Sequence, residues 1–590
     1  MASLRRILPP ALPLLIEKIH KLRLNKLKLN RLSTSRLQWA SRRGNGVILL
    51  PLSLFVFAAT FQLGLPGLHY DEAKEAGVNA MEMLTGAPIT AFRDAEITLF
   101  GHSLPLMVQD YIGAANVYLA LPVLKISGIG VPNLRFLSIG TALLAMICLA
   151  LAISEWMCVK ELHSIRPHAA PHGLRGLQRP QHKLHMASLV TLMLLALSPS
   201  FVFWSRQGIY VTNLMQPLCF FCIWQGLRWL NRENTIAALL CAFSAGLAIY
   251  VKIQAAWIVG PFGLLLIGWM LLNRQCTVYL NLRVVISGGI AFLVPLLPLL
   301  LFDIQTNGLV DVLSTNASQS YYGINNADLV GNLAIRWSQL IQVLRGDQFW
   351  YLGGSFANRF APVIAVVIIV VALWCDYRRI LAPLLLFLLA FACSLFTISD
   401  LFINHYALLH PLLIALAGIS LSIFLRVNWT LRDVSAAIAL LSIALWVGAD
   451  LFATVRYHAA LEESGGLADH SDASYHLSYY LRNNGLGAPI TLDWGIDAPV
   501  RYLTEGAVRP IEIFGYDSLA ETDNNYAERL RLFIDNPDNV YLLHAPGQTI
   551  FEGRREEFYQ EAEANGLTSV LEQVFVQRNQ VPIYELWRVK

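Results

Sequence analysis

The chain has 590 residues, of which 55% are hydrophobic and only 14% charged, and its mean hydropathy is +0.50. That balance excludes a water-soluble globular protein of this length and predicts a polytopic membrane protein. The formal net charge of +4 matters less than its distribution: Lys and Arg cluster near the N-terminus and in a few loops, which favours a membrane surface over nucleic acid as their partner.

Residues 1–46 combine Leu with Lys18, Lys21, Arg23, Lys26, Lys28, Arg31, Arg42 and Arg43, as a basic cytoplasmic segment on the membrane surface does. The first apolar run is long and lacks a small-residue cleavage site, so it is expected to be a retained span rather than a secretory signal. A window of about 20 residues places eleven spans, near 47–66, 131–155, 185–204, 208–230, 235–251, 255–273, 283–302, 360–375, 380–398, 403–424 and 433–453. All eight Cys fall in or beside apolar segments, which implies no disulfide framework, and Cys219 and Cys222 are expected to be packing residues.

With the basic tail in the cytoplasm, the other basic loops fall on the same side: 156–184 (Lys160, Arg166, Arg175, Arg179, Lys183), Arg228/Arg232, Arg274/Arg283, Asp376 to Arg379 and Arg426/Arg432. The opposite face receives residues 67–130, the turns at Arg206 and Lys252, the loop 303–359, Asp400 to His405 and everything from 455. The expected organisation is therefore a basic segment 1–46, a transmembrane module 47–454 and an external soluble α/β domain 455–590. In the first external loop, Asp71 to Gly86 and the amphipathic Leu104 to Ile126 are expected to be helices lying on the membrane surface. Loop 303–359, with Tyr321, Tyr322, Trp337, Trp350, Tyr351 and Arg336, Arg345 and Arg359, is expected to be a mobile cover.

Past 455, strand-like runs (Pro489 to Leu492, Ile511 to Phe514, Val540 to Leu543, Val574 to Val576, Ile583 to Trp587) alternate with helical ones (Ser474 to Arg482, Ala527 to Ile534, Arg554 to Ala564). That C-terminal stretch holds no Gly-rich phosphate fingerprint and no metal spacing; Asp493-Trp494-Gly495-Ile496-Asp497 reads as a turn.

Chemistry is expected at Leu68-His69-Tyr70-Asp71-Glu72-Ala73-Lys74-Glu75, because adjacent carboxylates at a membrane boundary are costly to desolvate. Four segments, His69-Tyr70-Asp71-Glu72-Ala73, Gly101-His102-Ser103-Leu104-Pro105-Leu106, Pro132-Asn133-Leu134-Arg135 and His405-Tyr406-Ala407-Leu408-Leu409-His410-Pro411, form a pattern. It resembles the GT-C superfamily of membrane glycosyltransferases that use polyprenyl-phosphate sugars, in particular the family that includes protein O-mannosyltransferases and lipid A aminoarabinose transferases. The resemblance covers roughly residues 47–425. Relatives often carry a charged residue and a Pro-Leu or Pro-Pro pair after the Gly of the second motif, where this chain has His102-Ser103-Leu104 before Pro105.

The resemblance implies an inverting transferase in the plasma or inner membrane, with Asp71 as catalytic carboxylate and a polyprenyl-phosphate sugar between the external loops and later spans. The acceptor is a lipid, glycan or protein on the external face. A lipid phosphate leaves as a weakly basic anion, so the reaction needs a base for the acceptor hydroxyl and cations for the phosphate rather than a general acid. Asp71 is the candidate base, and Glu72 supports it or shares a divalent cation with it. The bland alternative makes both the first turn of a capped helix.

The phosphate candidates are Arg206, Lys252, His405, Tyr406, Arg345 and Arg359, with Arg206 ranked above Lys252 for its bidentate geometry. Arg206 and Lys252 are equally placed to be snorkelling anchors, and His405 and Tyr406 to be belt residues. His69 and His102 belong to the donor and acceptor loops. The rival function, a transporter or lipid-linked-sugar flippase, calls for repeats and charges at mid-membrane; the candidate charges instead cluster at one face.

Overall fold

The computed structural model describes residues 46–159, 185–207, 212–272, 281–318, 325, 328–396, 402–425, 432–515, 522–549 and 551–590. The basic tail to residue 45, the cations from Lys160 to Lys183, the turn at Arg274, Tyr321, Tyr322, Asp400 and Arg426 lie outside the described residues.

Among the described residues six helices are long and apolar enough to cross a membrane: Val131–Trp156, Ile253–Leu272, Leu282–Thr306, Phe360–Cys393, Ile403–Phe424 and Val434–Ser464. Met186–Ala196 and Pro199–Arg206, bent by 68°, make a seventh if read as one span. Leu49–Thr60, Thr212–Arg232 and Thr235–Val251 complete the bundle. The expected spans near 360–375 and 380–398 are the two arms of Phe360–Cys393, a 34-residue helix broken at Asp376 (φ −150°, ψ 66°). The break reverses the chain. Trp156 Nε1 donates to the Arg379 carbonyl (3.0 Å), whereas Asn358 N–H bonds Arg345 O (2.7 Å) and Asn332 Nδ2 bonds Leu395 O (3.3 Å), so both outer ends return to the Leu329–Arg345 helix.

Non-spanning structure gathers at that end of the bundle. Asp71 to Gly86 is helical as expected, with a π-helical stretch Ala73–Val78 between Tyr70–Glu72 and Asn79–Thr85, and Gly86 closing it in the left-handed region (φ 74°). The helix expected over Leu104 to Ile126 is shorter, Ala115–Ser127. Its first part is instead strand: Glu96–Leu99 pairs with His102–Pro105, and Met107–Gln109 with Ile112–Gly113. Phe100 and Gly101, both at positive φ (52° and 78°), form the two-residue turn that antiparallel strands favour. Gly113 lets the second hairpin rest on Thr235–Val251, since a Cβ there would lie 2.4 Å from Tyr250 O. The expected cover 303–359 holds two helices, Gly308–Ser318 and Leu329–Arg345.

The C-terminal sheet has five strands in the order Ile511–Glu512, Ile490–Thr491, Tyr541–His544, Pro582–Val589, Ser569–Val576. The first three are parallel and the last two antiparallel to their neighbours. Helices Ala473–Asn483, Tyr526–Ile534 and Arg554–Ala564 cover it, each close to its expected place. The described cysteines form no disulfide, and Cys222 Sγ is 3.6 Å from Cys241 Sγ.

Candidate active site

Two buried guanidinium groups hold the turn that delivers Asp71. Arg135, fully buried, donates to Leu63 O (2.9 Å), Pro66 O (3.0 Å) and Gly67 O (3.3 Å). It also grips Glu72 with two parallel bonds, Nε to Oε1 at 2.7 Å and Nη2 to Oε2 at 2.9 Å. Arg206, equally buried, donates to Gln62 O (2.5 Å) and Leu65 O (3.0 Å) and meets His458 Nδ1 at 3.3 Å. Backbone carbonyls that would be orphaned in the turn 62–67 are thus satisfied by charge-assisted bonds. Both oxygens of Glu72 are on Arg135; of Arg206, Nη2 is on the backbone, Nη1 meets His458, and Nε has no hydrogen-bond partner among the described residues.

Asp71 is placed differently. Its backbone N–H caps onto His69 Nδ1 (3.2 Å), and its carboxylate, 25% exposed, accepts no hydrogen bond among the described residues. Lys252 faces this acidic patch, interacting by charge with Glu75 and Asp71. Its backbone is pinned by the second hairpin: Lys252 bridges Ile112, and Ile253 N–H bonds Tyr111 O (3.1 Å). His405 lies in the field of both Lys252 and Arg336.

Arg336 belongs to this group, although the sequence suggested no site role for it. It is 0% exposed, and its Nε and Nη2 have no hydrogen-bond partner among the described residues. Its guanidinium lies 5.9 Å from the Trp257 ring and 5.6 Å from that of Tyr406, whose hydroxyl donates to Arg336 O (2.9 Å). The available signal was spacing: Asn332, Arg336, Leu340, Val343 and Leu344 form one buried helical stripe, and an Arg within such a stripe requires a reason.

The structure therefore brings Asp71, Lys252, His405 and Tyr406 together and leaves others apart. Arg345 faces Asp347 (3.6 Å) and Arg359 is exposed at the start of Phe360–Cys393. His102 is exposed beside the first hairpin turn, along a surface pocket with Glu82 and Pro88.

His69 faces the C-terminal region. Its Nε2 meets Asp469 Oδ2 at 3.1 Å and its ring packs on Trp494 (5.7 Å), which also contacts Tyr70 (5.1 Å). The turn at Asp493 to Asp497 is thus a contact to the site. Burial alone would lower the His69 pKa, but the bond and charge of Asp469, with Asp71 and Glu72, carry it up to about 9. Below the junction, an apolar cavity of 120 Å³ runs beside helix His410–Phe424, lined among others by Leu412, Ala415, Leu416, Ile419, Phe262 and Trp269.

The sequence matches no family model and no curated protein. Among solved structures it is similar to ArnT from Cupriavidus metallidurans in the apo state (TM-score 0.55, 12% identity, 92% of this chain and 98% of that chain). It is similar also to the same protein bound to undecaprenyl phosphate (TM-score 0.53, 12% identity, the same coverage). At that identity the likeness is one of fold, the fold expected from the GT-C resemblance, and the chain is an integral membrane protein.

Proposed function

We propose that this chain is an inverting membrane glycosyltransferase that moves a sugar from a polyprenyl phosphate to a hydroxyl of a lipid, glycan or protein acceptor. The reaction takes place on the external face, with the N-terminus cytoplasmic. The observation that carries the reading is one partly exposed carboxylate, Asp71, that accepts no hydrogen bond among the described residues and interacts by charge with buried Lys252, which together with buried Arg336 acts on His405. The fold is shared with a protein solved bound to undecaprenyl phosphate.

Asp71 takes the proton of the acceptor hydroxyl as its oxygen bonds the anomeric carbon; the bond from that carbon to the phosphate oxygen breaks and the phosphate leaves as an anion. Lys252 and Arg336, with His405 and Tyr406 beside them, receive that charge in a site where little water competes. Arg336 offers the planar donor pair that suits phosphate. Attack from the side opposite the phosphate inverts the anomeric centre. Glu72 acts through Arg135 to hold the Asp71 turn, and Arg206 holds it from the other side, so in this reading Lys252 outranks Arg206 for the donor.

The test compares the lipids, glycans and glycoproteins of cells carrying wild-type protein, Asp71→Asn or no protein, by mass spectrometry. One saccharide addition present only with the wild type is expected, with Asp71→Asn inserted normally but slower by about 10²–10⁴-fold. Near-normal turnover by that variant removes Asp71 as base, and identical profiles in all three cells favour the transporter reading.

A further inference from the structure

Where the first loop meets the C-terminal region, two histidines and a carboxylate converge that the transfer chemistry does not use. His69 Nε2 is 3.1 Å from Asp469 Oδ2, and His470 Nε2 is 3.9 Å from Asp469 Oδ1. One donor atom from each residue lies within 4.8 Å of the other two. The imidazole rings of His69 and His470 are nearly parallel, 4.3 Å apart and 15° between planes, and Tyr351 stacks on the other face of His470 at 3.9 Å. His470 is thereby clamped in orientation, and its Nδ1 is buried without a hydrogen-bond partner among the described residues.

The backbones carrying these residues are interlocked. A Cβ on Gly67 would lie 2.1 Å from Ser471 O, and one on Gly466 the same distance from His470 O. The donor atoms are therefore held near one another by close backbone contact rather than by their mutual attraction.

We propose that His69, Asp469 and His470 form a binding site for a divalent transition metal of the Zn²⁺ type, which ties the loop bearing Asp71 to the C-terminal region. Two imidazole nitrogens and one carboxylate oxygen suit Zn²⁺ and its neighbours; Mg²⁺ and Ca²⁺ take oxygen ligands. Bonds of about 2.0–2.2 Å from the three donor atoms to such an ion leave a fourth position for water. A metal on His69 Nε2 requires the proton on Nδ1. Binding the metal therefore gives up the cap that Asp71 N–H now makes to Nδ1 (3.2 Å), and Asp71 Oδ2, 3.9 Å from Nδ1, accepts the proton only after a shift of the side chain. The site is independent of whether the chain transfers sugars.

The experiment uses the full-length protein purified in detergent, stripped with a chelator, supplied with Zn²⁺ and desalted. Elemental analysis is expected to find about one Zn²⁺ per wild-type chain and a higher Tm with the metal, both lost in Asp469→Asn and His470→Ala. Wild-type protein holding no Zn²⁺ above the level of those variants overturns the proposal, as does an unchanged Tm. If either variant does not fold, Co²⁺ on the wild type decides: an intense visible spectrum of a four-coordinate ion supports the site, and the weak spectrum of the hydrated ion removes it.

Discussion

Arg336 carries a positive charge at 0% exposure with two N–H-bearing nitrogens unpartnered among the described residues. A buried cation in that state is costly unless an anion arrives to meet it. Asp71 is the complement: a carboxylate one quarter exposed and unbonded where an acceptor hydroxyl could approach. A charged hydrogen bond is worth about 1.5–3 kcal/mol, so Arg336→Gln is expected to raise the apparent KM for the polyprenyl-phosphate donor by roughly 10–100-fold. The KM for the acceptor should stay near its wild-type value. Steady-state kinetics with each substrate varied in turn measures this, and an equal effect on both substrates would place Arg336 in the scaffold instead.

At the scale of elements, the short turn between Leu49–Thr60 and Tyr70–Glu72 depends on neighbours for its shape. Arg135 from helix Val131–Trp156 and Arg206 from the bent helix pair satisfy five of its carbonyls between them, three and two respectively. The Arg135–Glu72 pair is buried on both sides, so losing one partner strands the other's charge. Arg135→Met is expected to destabilise the protein by about 3–5 kcal/mol, read as a lower unfolding midpoint in detergent. Combining it with Glu72→Gln should recover part of the loss, because the stranded carboxylate is then neutral. A double variant no more stable than the single one would show that the carbonyl bonds, rather than the ion pair, are what Arg135 contributes.

Across the whole molecule, the C-terminal region closes over the first loop through many contacts. Tyr502 Oη meets Gly130 O at 3.1 Å and Gly130 N–H at 3.2 Å, Arg501 donates to Thr90 Oγ1 at 2.8 Å, and Tyr475 donates to Gly64 O at 2.8 Å. Gly67 permits this closure, so Gly67→Val is expected to part the two regions. The expected result is about a 10²-fold loss of turnover, the cost of a misplacement near 1 Å, together with faster protease cleavage around residues 464–473 and little change in membrane insertion. Cleavage at the wild-type rate would mean that the junction relaxes locally and that the loop keeps its place.

The apolar spans, the helix after Asp71 and the strands and helices of the C-terminal region were legible in the chain, because each depends on local periodicity and composition. The hairpin at Phe100-Gly101 was not legible because its strands are only four residues each, too short for a periodic signal, and the amphipathic pattern from Leu104 onward overlaps the second of them. Asp71 stands out as a candidate in the chain itself because two adjacent carboxylates beside an apolar run are rare. The separation of Asp71 from Glu72 was not legible: which neighbour faces Arg135 and which faces Lys252 depends on how a helix from residue 131 and a hairpin at residue 112 pack around them. Arg336, His470 and Asp469 were hidden for the same reason. Periodicity determines which residues are buried, whereas the joining of positions as distant as 69 and 469, or 252 and 336, is decided only when the helices pack and the C-terminal sheet docks on the outer end of the bundle.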